Sequence, residues 1–198
     1  MKKWIPIAVI GLVVLLGFSG VGTYNSLVKL DQGVRSQWGQ VQNVYQRRAD
    51  LVPNLVETVK GAAAFEKDTY TAVAAARAQV GQVTMNAAQA PNDPQAMKRY
   101  QQAQDGLSSA LSRLLVVAER YPDLKATAAF RDLQAQLEGT ENRIAVERMR
   151  FNDTAQAFNT KRDSFPTVMI AGFFGSRFAE KAYFEATAAA ATPPQVKF

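Results

Sequence analysis

From Trp4 to Val28 the chain runs twenty-five residues without a charged side chain, with Lys2 and Lys3 before the run and Lys29 after it. Its apolar heart, Ile5 to Val21, spans about 25 Å as a helix at about 1.5 Å per residue, close to the roughly 30 Å of a bilayer's hydrocarbon core. The stretch therefore reads as a single transmembrane anchor over residues 1–23, with Trp4, Ile5, Val9, Leu12, Leu15 and Phe18 among its membrane-facing positions. Lys2 and Lys3, set against the mixed flank of Lys29, Asp31 and Arg35, place the N-terminus in the cytoplasm and the body outside by the positive-inside rule. The expected location is the inner, cytoplasmic membrane, crossed once, with the body periplasmic or extracytoplasmic.

A cleaved signal peptide is the competing reading, since Gly17, Ser19, Gly20 and Gly22 are small enough for a cleavage site. Against it, the segment has no Ala-x-Ala pattern and no Cys to carry a lipid. The uncleaved anchor is the preferred expectation. Small residues pair at four-residue spacing only as Ser19/Thr23 and Gly22/Ser26, a weak dimerisation signal without G-x-x-x-G.

Downstream, apolar residues recur in steps of three and four: Leu27, Leu30, Val34, Trp38, Val41, Tyr45, Val52, Leu55 and Val59, with Arg48 in the same row. That spacing is a helical packing seam. The step of four from Val34 to Trp38, where a heptad wants three, favours bundle packing over a long regular coiled coil. Nothing between Tyr24 and Lys29 breaks a helix, so the anchor is expected to run stiffly into the first bundle helix. Pro53 removes one backbone donor and crowds the preceding turn. Either the helix kinks near Ala49, or it restarts with Asp50 as cap; the unbroken phase of the seam favours the kink. Beyond Gly61, Ala63, Tyr70, Val73, Arg77 and Val80 carry the pattern on as one helix of some 60 residues, fading near Met85.

The segment Ala90 to Gln95 breaks the pattern, and Asp93 can cap a helix that has Pro94 in its first turn. A seam of Met97, Tyr100, Gln104, Leu107, Leu111, Leu114, Ala118 and Tyr121 follows. Tyr121-Pro122-Asp123 ends that helix and can begin the next, whose seam is Phe130, Leu133, Leu137, Thr140, Ile144, Arg148, Phe151, Ala155 and Phe158. Two inward positions of this last seam are polar. The fold class is therefore all-α: an N-terminal transmembrane helix continuing into an elongated antiparallel bundle over residues 24–185, with about four long helices, the first kinked near Pro53.

After Asn159 the residues Phe165, Phe173, Phe174, Phe178 and Phe184, broken up by Pro166, Gly172 and Gly175, predict a short helix and a loop. They either cover one end of the bundle or form an exposed docking or membrane-interface patch assisted by Arg177 and Lys181. Residues 186–198 are low in complexity and read as a disordered tail.

Chemistry is sparse. The chain contains neither Cys nor His, which removes disulfides, thiol nucleophiles, imidazole bases and the usual zinc and haem ligands. No phosphate-cradling loop, nucleophile elbow or calcium loop occurs, and no cofactor is expected. The net charge of +6 is dispersed rather than gathered on one face, so nucleic acid is not an expected partner. One polar constellation stands out: Arg47, Arg48, Asp50 and Asn54 near the first proline, and Glu141, Arg148 and Asn152 on the last helix. It can be an acid/base pair or anion site, or an ion-pair network that fixes helix register, possible only if hydrogen-bonded.

Several blocks are specific. Tyr45-x-Arg47-Arg48-x-Asp50-Leu51-Val52-Pro53-Asn54-Leu55-Val56, then Glu66, Tyr121-Pro122-x-Leu124-Lys125, Phe130, Leu133, Leu137, Thr140-Glu141-Asn142-Arg143-Ile144-Ala145, Arg148, Phe151-Asn152 and Phe158-Asn159 together resemble the LemA family over nearly the whole chain. Phe151 and Phe158 stand where the family commonly has tyrosine, which leaves these positions a packing role, and Glu147 where a small residue is usual. The resemblance implies a membrane-anchored helical bundle with no established enzyme activity, related to a magnetosome protein implicated in shaping an internal membrane. The expected function is thus a non-enzymatic envelope scaffold that touches lipid, self-associates as a homo-oligomer or binds an envelope protein partner. The alternative is a lipid- or anion-binding regulatory module using Arg47, Arg48 and Arg148.

Overall fold

The computed structural model describes residues 5–60 and 67–185, with side chains placed at position 11 and through 19–60 and 68–185. Its described elements are all helical: α1 (Ile5–Lys60), α2 (Lys67–Thr84), α3 (Pro94–Ala118), a short α4 (Pro122–Ala126), α5 (Ala128–Asp163) and α6 (Thr167–Phe174). Short 3₁₀ turns occupy Ala87–Asn92 and Gly175–Phe178. Gly61, Ala63, Glu66 and the tail 186–198 lie outside the described residues, as does Trp4. Ile5, Val9, Leu12, Leu15 and Phe18 are described in their helical backbone alone. Among the described residues no helix is long and apolar enough to cross a membrane.

Helix α1 passes through Pro53 without restarting. Asp50 does not cap a new helix; it accepts a hydrogen bond from Gln46 Nε2 at 2.7 Å within the same one. Leu27, Val34, Trp38, Val41, Tyr45, Val52, Leu55 and Val59 are all buried, as their three-and-four spacing dictates.

The expected 60-residue helix reaching Met85 is corrected. Helix α2 lies back along α1, with Lys60 Nζ 5.6 Å from the centre of the Tyr70 ring and Trp38 Nε1 donating to Ala87 O at 2.9 Å just beyond the end of α2. The apolar phase alone did not reveal the reversal, because a helix that turns back and packs on its predecessor keeps the same type of stripe. Helix α3 is opened by Asp93, whose Oδ1 accepts from Gln95 N at 2.8 Å, with Pro94 in the first turn. It packs mainly on α2, while α5 runs antiparallel along α1. The pairs Gln37–Glu147 and Arg48–Glu141 mark that opposite direction. A break at Thr127, whose hydroxyl accepts from Phe130 N, separates α4 from α5.

Two apolar clusters fill the bundle. One gathers Leu27, Val34, Trp38, Tyr45, Tyr100, Phe151, Phe158 and Phe178; the other gathers Val52, Leu55, Val59, Leu107, Leu114, Phe130 and Leu137. Phe151 and Phe158 are fully buried and act through packing. Aromatic edges meet inside the first cluster, with Trp38 5.1 Å from Tyr100 and 5.3 Å from Phe151, in the tilted arrangements that ring quadrupoles favour.

Candidate functional site

Three places gather the molecule's unusual groups. The first is a polar layer in α1, α3 and α5, at a level between residues of the two apolar clusters. Arg48, 1% exposed, donates from Nη1 to Ser108 Oγ at 2.6 Å and to Glu141 Oε1 at 2.8 Å. From Nη2 it donates to both the backbone and the side-chain oxygen of Gln104. Its Nε has no hydrogen-bond partner among the described residues, and the guanidinium lies 5.1 Å from the centre of the Tyr45 ring. With its two terminal nitrogens already shared among four acceptors, Arg48 has little left to offer an anion.

The constellation read from the sequence thus divides. Arg48 and Glu141 come together, and Glu147, further along α5 and outside that constellation, pairs with Gln37 and Arg150. Arg47, Asp50 and Asn54 lie on the exposed side of α1 and do not join the layer. Arg148 and Asn152 serve a different structure, described next. The trio Arg47, Arg48 and Arg148 therefore presents no shared basic face, because one member is buried and another is committed to backbone. Gln104, placed in the apolar seam of α3, was the sequence signal for a polar layer.

The second place is the extended segment Ala179–Glu185, which lies across the bundle as a strap. Three amide side chains bind its backbone in paired fashion. Asn159 accepts from Lys181 N at 2.8 Å and donates to Lys181 O at 2.9 Å. Asn152 does the same at Phe184, and Gln101 at Glu185. Arg148 adds a hydrogen bond to Glu185 O and stacks 4.7 Å from the Phe184 ring centre. Ala182 N donates to Pro91 O. At Lys181, where the matched backbone groups are buried, each avoids a desolvation loss of about 1–3 kcal/mol; at Glu185 they are exposed.

Lys181 locks this strap. Its Nζ lies 2.6 Å from Asp31 Oδ1 and 2.7 Å from Asn92 Oδ1, and 4.6 Å from the centre of the Phe158 ring. The Lys181 and Asp31 side chains are 2% and 0% exposed. Arg35 Nε donates to the second Asp31 oxygen at 3.0 Å. The expectation that Lys181 assists an exposed patch is thus corrected: its four-carbon stem reaches inward, where a buried carboxylate holds the charge. Phe178 and Phe184, at 0% and 5% exposure, take the other of the two courses open to the aromatic run and cover the bundle instead of joining a patch. That Asp31, Asn159 and Gln101 hold the strap is not legible in the sequence, since their partners are backbone atoms or a residue 150 positions away.

The third place is α6. Phe165, Phe173 and Phe174 remain at the surface beside Val168 and Met169.

Two tyrosines beside Arg48 give a direct check on the core. Burial, as the leading cause, pushes the hydroxyls of Tyr45 and Tyr100 above the usual 10.0, outweighing the opposing field of nearby arginines. The folded chain therefore favours the neutral phenols. Their contribution is fully present below pH 10 and is lost as pH rises through the raised folded values. In an alkaline titration, phenolate absorbance from these two side chains is expected only together with loss of helix. The Tyr45→Phe/Tyr100→Phe chain is expected to unfold at higher pH than its parent; an unchanged midpoint would show that these hydroxyls are hydrated.

Among the described residues no group of three or more Asp or Glu stands close enough to hold a metal ion. Comparison with known proteins adds a family and relatives. The LemA family model matches residues 37–198. The magnetosome proteins MamQ 1 and MamQ 2 of Paramagnetospirillum magneticum (strain AMB-1) are each 25% identical to the chain over 185 residues, covering 86% of it and 67% of the relative. The magnetosome protein MamQ of Magnetospirillum gryphiswaldense (strain MSR-1) is 25% identical over 191 residues, covering 87% and 70%.

Proposed function

We propose a role from the premise that this chain belongs to the LemA family: it is a non-enzymatic scaffold, anchored in a bacterial envelope membrane by the first part of α1. The observation that carries this reading is the unbroken helix from Ile5 to Lys60. One rod carries both the part of the uncharged run from Ile5 to Val28 and the seam from Leu27 to Val59 around which the core assembles. Pulling on the anchor therefore pulls on the core itself. The buried polar groups support the same reading, because Arg48, Lys181, Asn152 and Asn159 are taken up in holding helices and strap together. The relatives named as magnetosome proteins fit a role in membrane organisation.

The scaffold works by presenting the sides of the bundle to further copies or to an envelope partner. Light scattering on the full chain in detergent micelles is expected to give a dimer or larger assembly. A strict monomer that also captures no envelope protein after cross-linking in cells sinks this reading. Since the chain has no Cys, a Lys125→Cys variant supplies a single exposed label site. A membrane-impermeant maleimide is expected to label it from outside the cytoplasm in intact cells.

A further inference from the structure

We propose that α6 is a membrane-seated foot: its outward apolar face enters the headgroup and upper acyl region of the bilayer in which α1 is anchored. The proposal rests on the anchor reading above and assigns a second, independent contact with the same membrane.

The residues of α6 are arranged inside out for a helix bathed in water. From Ser164 to Ser176 the chain carries no charge, between Asp163 and Arg177. The side of α6 turned to the bundle is small, with Thr167 and Ala171 buried. Its large apolar side chains point away: Met169 is 67% exposed and Phe173 85%, with Phe165 81% exposed just before the helix. Val168 adds to this surface, while Phe174, 42% exposed, sits at its edge and turns its ring toward α1. A helix that packs through its small residues and displays its large ones is the reverse of the pattern for a soluble surface helix. A contiguous display of this kind marks an interaction surface.

Its place in the fold identifies the partner as lipid. The Phe174 ring lies 4.9 Å from that of Tyr24, and Phe178 lies 5.4 Å from it. Tyr24 belongs to the uncharged run of α1 and stands nineteen residues after Ile5. At about 1.5 Å per residue that is about 28 Å, nearly the roughly 30 Å of a hydrocarbon core. With Ile5 at one boundary, Tyr24 falls at the other, in the layer where tyrosine and tryptophan rings concentrate. Helix α6 is thus held beside α1 at the depth of the membrane interface. Exposed Arg177 directly follows the uncharged segment and suits anionic headgroups; on the other side exposed Lys161 lies two residues before Asp163, whose carboxylate is paired with Arg162.

The Cys-free chain allows a site-by-site test. Nitroxide labels are placed singly by Phe173→Cys, Met169→Cys, Leu12→Cys and Lys125→Cys. The full chain is reconstituted in vesicles of phosphatidylcholine and phosphatidylglycerol. Collisions with oxygen, which concentrates in lipid, are compared with those of a water-soluble nickel complex. Labels at 169 and 173 are expected to show a several-fold higher oxygen-to-nickel ratio than the label at 125. Water-like values at 169 and 173, with a lipid-like value at 12, overturn the foot and leave the anchor standing. Shielding of 173 from both probes means that protein, such as a second copy, covers this face, and overturns the foot as well. A lipid-like value at 173 with a water-like value at 12 supports α6 as a lipid contact and removes the anchor reading instead.

Discussion

Arg48→Ala is expected to lower the unfolding free energy by about 3 kcal/mol, read from urea denaturation of the full chain in micelles. The loss has separable parts. Gln104, itself 2% exposed, receives two hydrogen bonds from Arg48 and loses both. Leaving a buried polar group unmatched costs about 1–3 kcal/mol. The buried stem of Arg48 also leaves a cavity on truncation, which adds to that loss. The ionic part is smaller, because the Glu141 side chain is 45% exposed and can be rehydrated once its partner is gone. Glu141→Gln is therefore expected to cost less than about 1 kcal/mol, the modest value of a half-exposed pair. Arg48→Met fills most of the volume but still strands Gln104, so it should fall between the two. A loss below about 0.5 kcal/mol for Arg48→Ala would mean that water already reaches the layer.

The contrast between these substitutions bears on what the layer does. A buried cation satisfied by acceptors on two other helices constrains how α1, α3 and α5 slide past one another, since a shift of one turn, about 5.4 Å, breaks every bond at once. Apolar packing alone tolerates such shifts better. Such an arrangement suits a register device, a role known for some buried polar groups. Its place in the seam explains why it was legible: Arg48 and Gln104 each occupy positions that the three-and-four spacing turns inward, where a polar side chain must find a partner.

Legibility followed the physics of periodicity. The seam of α1 and that of α5, from Phe130 to Phe158, are buried at nearly every position read from the sequence, because an apolar stripe at helical spacing has one way to leave water. The cap at Asp93 was legible from local chemistry alone. What periodicity does not encode is direction, so α2 was read as an extension of α1 although it folds back. Nor does it encode contacts to backbone. Asn152 and Asn159 stood out as members of the Phe-Asn pairs, but nothing in their spacing says that they grip Phe184 and Lys181 by the main chain. The aromatic run after Asn159 divides between the two readings its sequence leaves open, since Phe178 and Phe184 cover the core, Phe165 and Phe173 face outward, and Phe174 lies between, half exposed and packed on Tyr24. Alternation within a short, irregular segment has no fixed period that separates the two sets.

Lys181→Met is expected to be at least as disruptive, at about 3–5 kcal/mol, the range for removing one partner of a buried ion pair. Methionine keeps the length of the stem, so the loss reports charge rather than volume. Asp31 Oδ1 would face the interior without its cation, and its remaining partner Arg35 is attached to a side chain 54% exposed, whose help is weakened by water. The Asp31→Leu/Lys181→Met chain removes both charges together and is expected to recover most of the loss, giving a coupling of about 2 kcal/mol or more. If the single and double variants are equally unstable, the pair is not what holds the strap. A second readout separates local release from global unfolding: chymotrypsin should cut at Tyr183 and Phe184 faster in Lys181→Met than in the double variant. Release has a further consequence at the membrane. Arg162 Nε donates to Phe178 O just ahead of the strap, and Phe178 touches Tyr24, so the strap closes the path that holds α6 against α1. In Lys181→Met a nitroxide at position 173 should therefore become more mobile, whereas in Arg48→Ala, whose defect lies at the middle of the bundle and away from the strap's lock, it should not. Equal mobilisation by both would mean that α6 is positioned by overall stability and not by the strap.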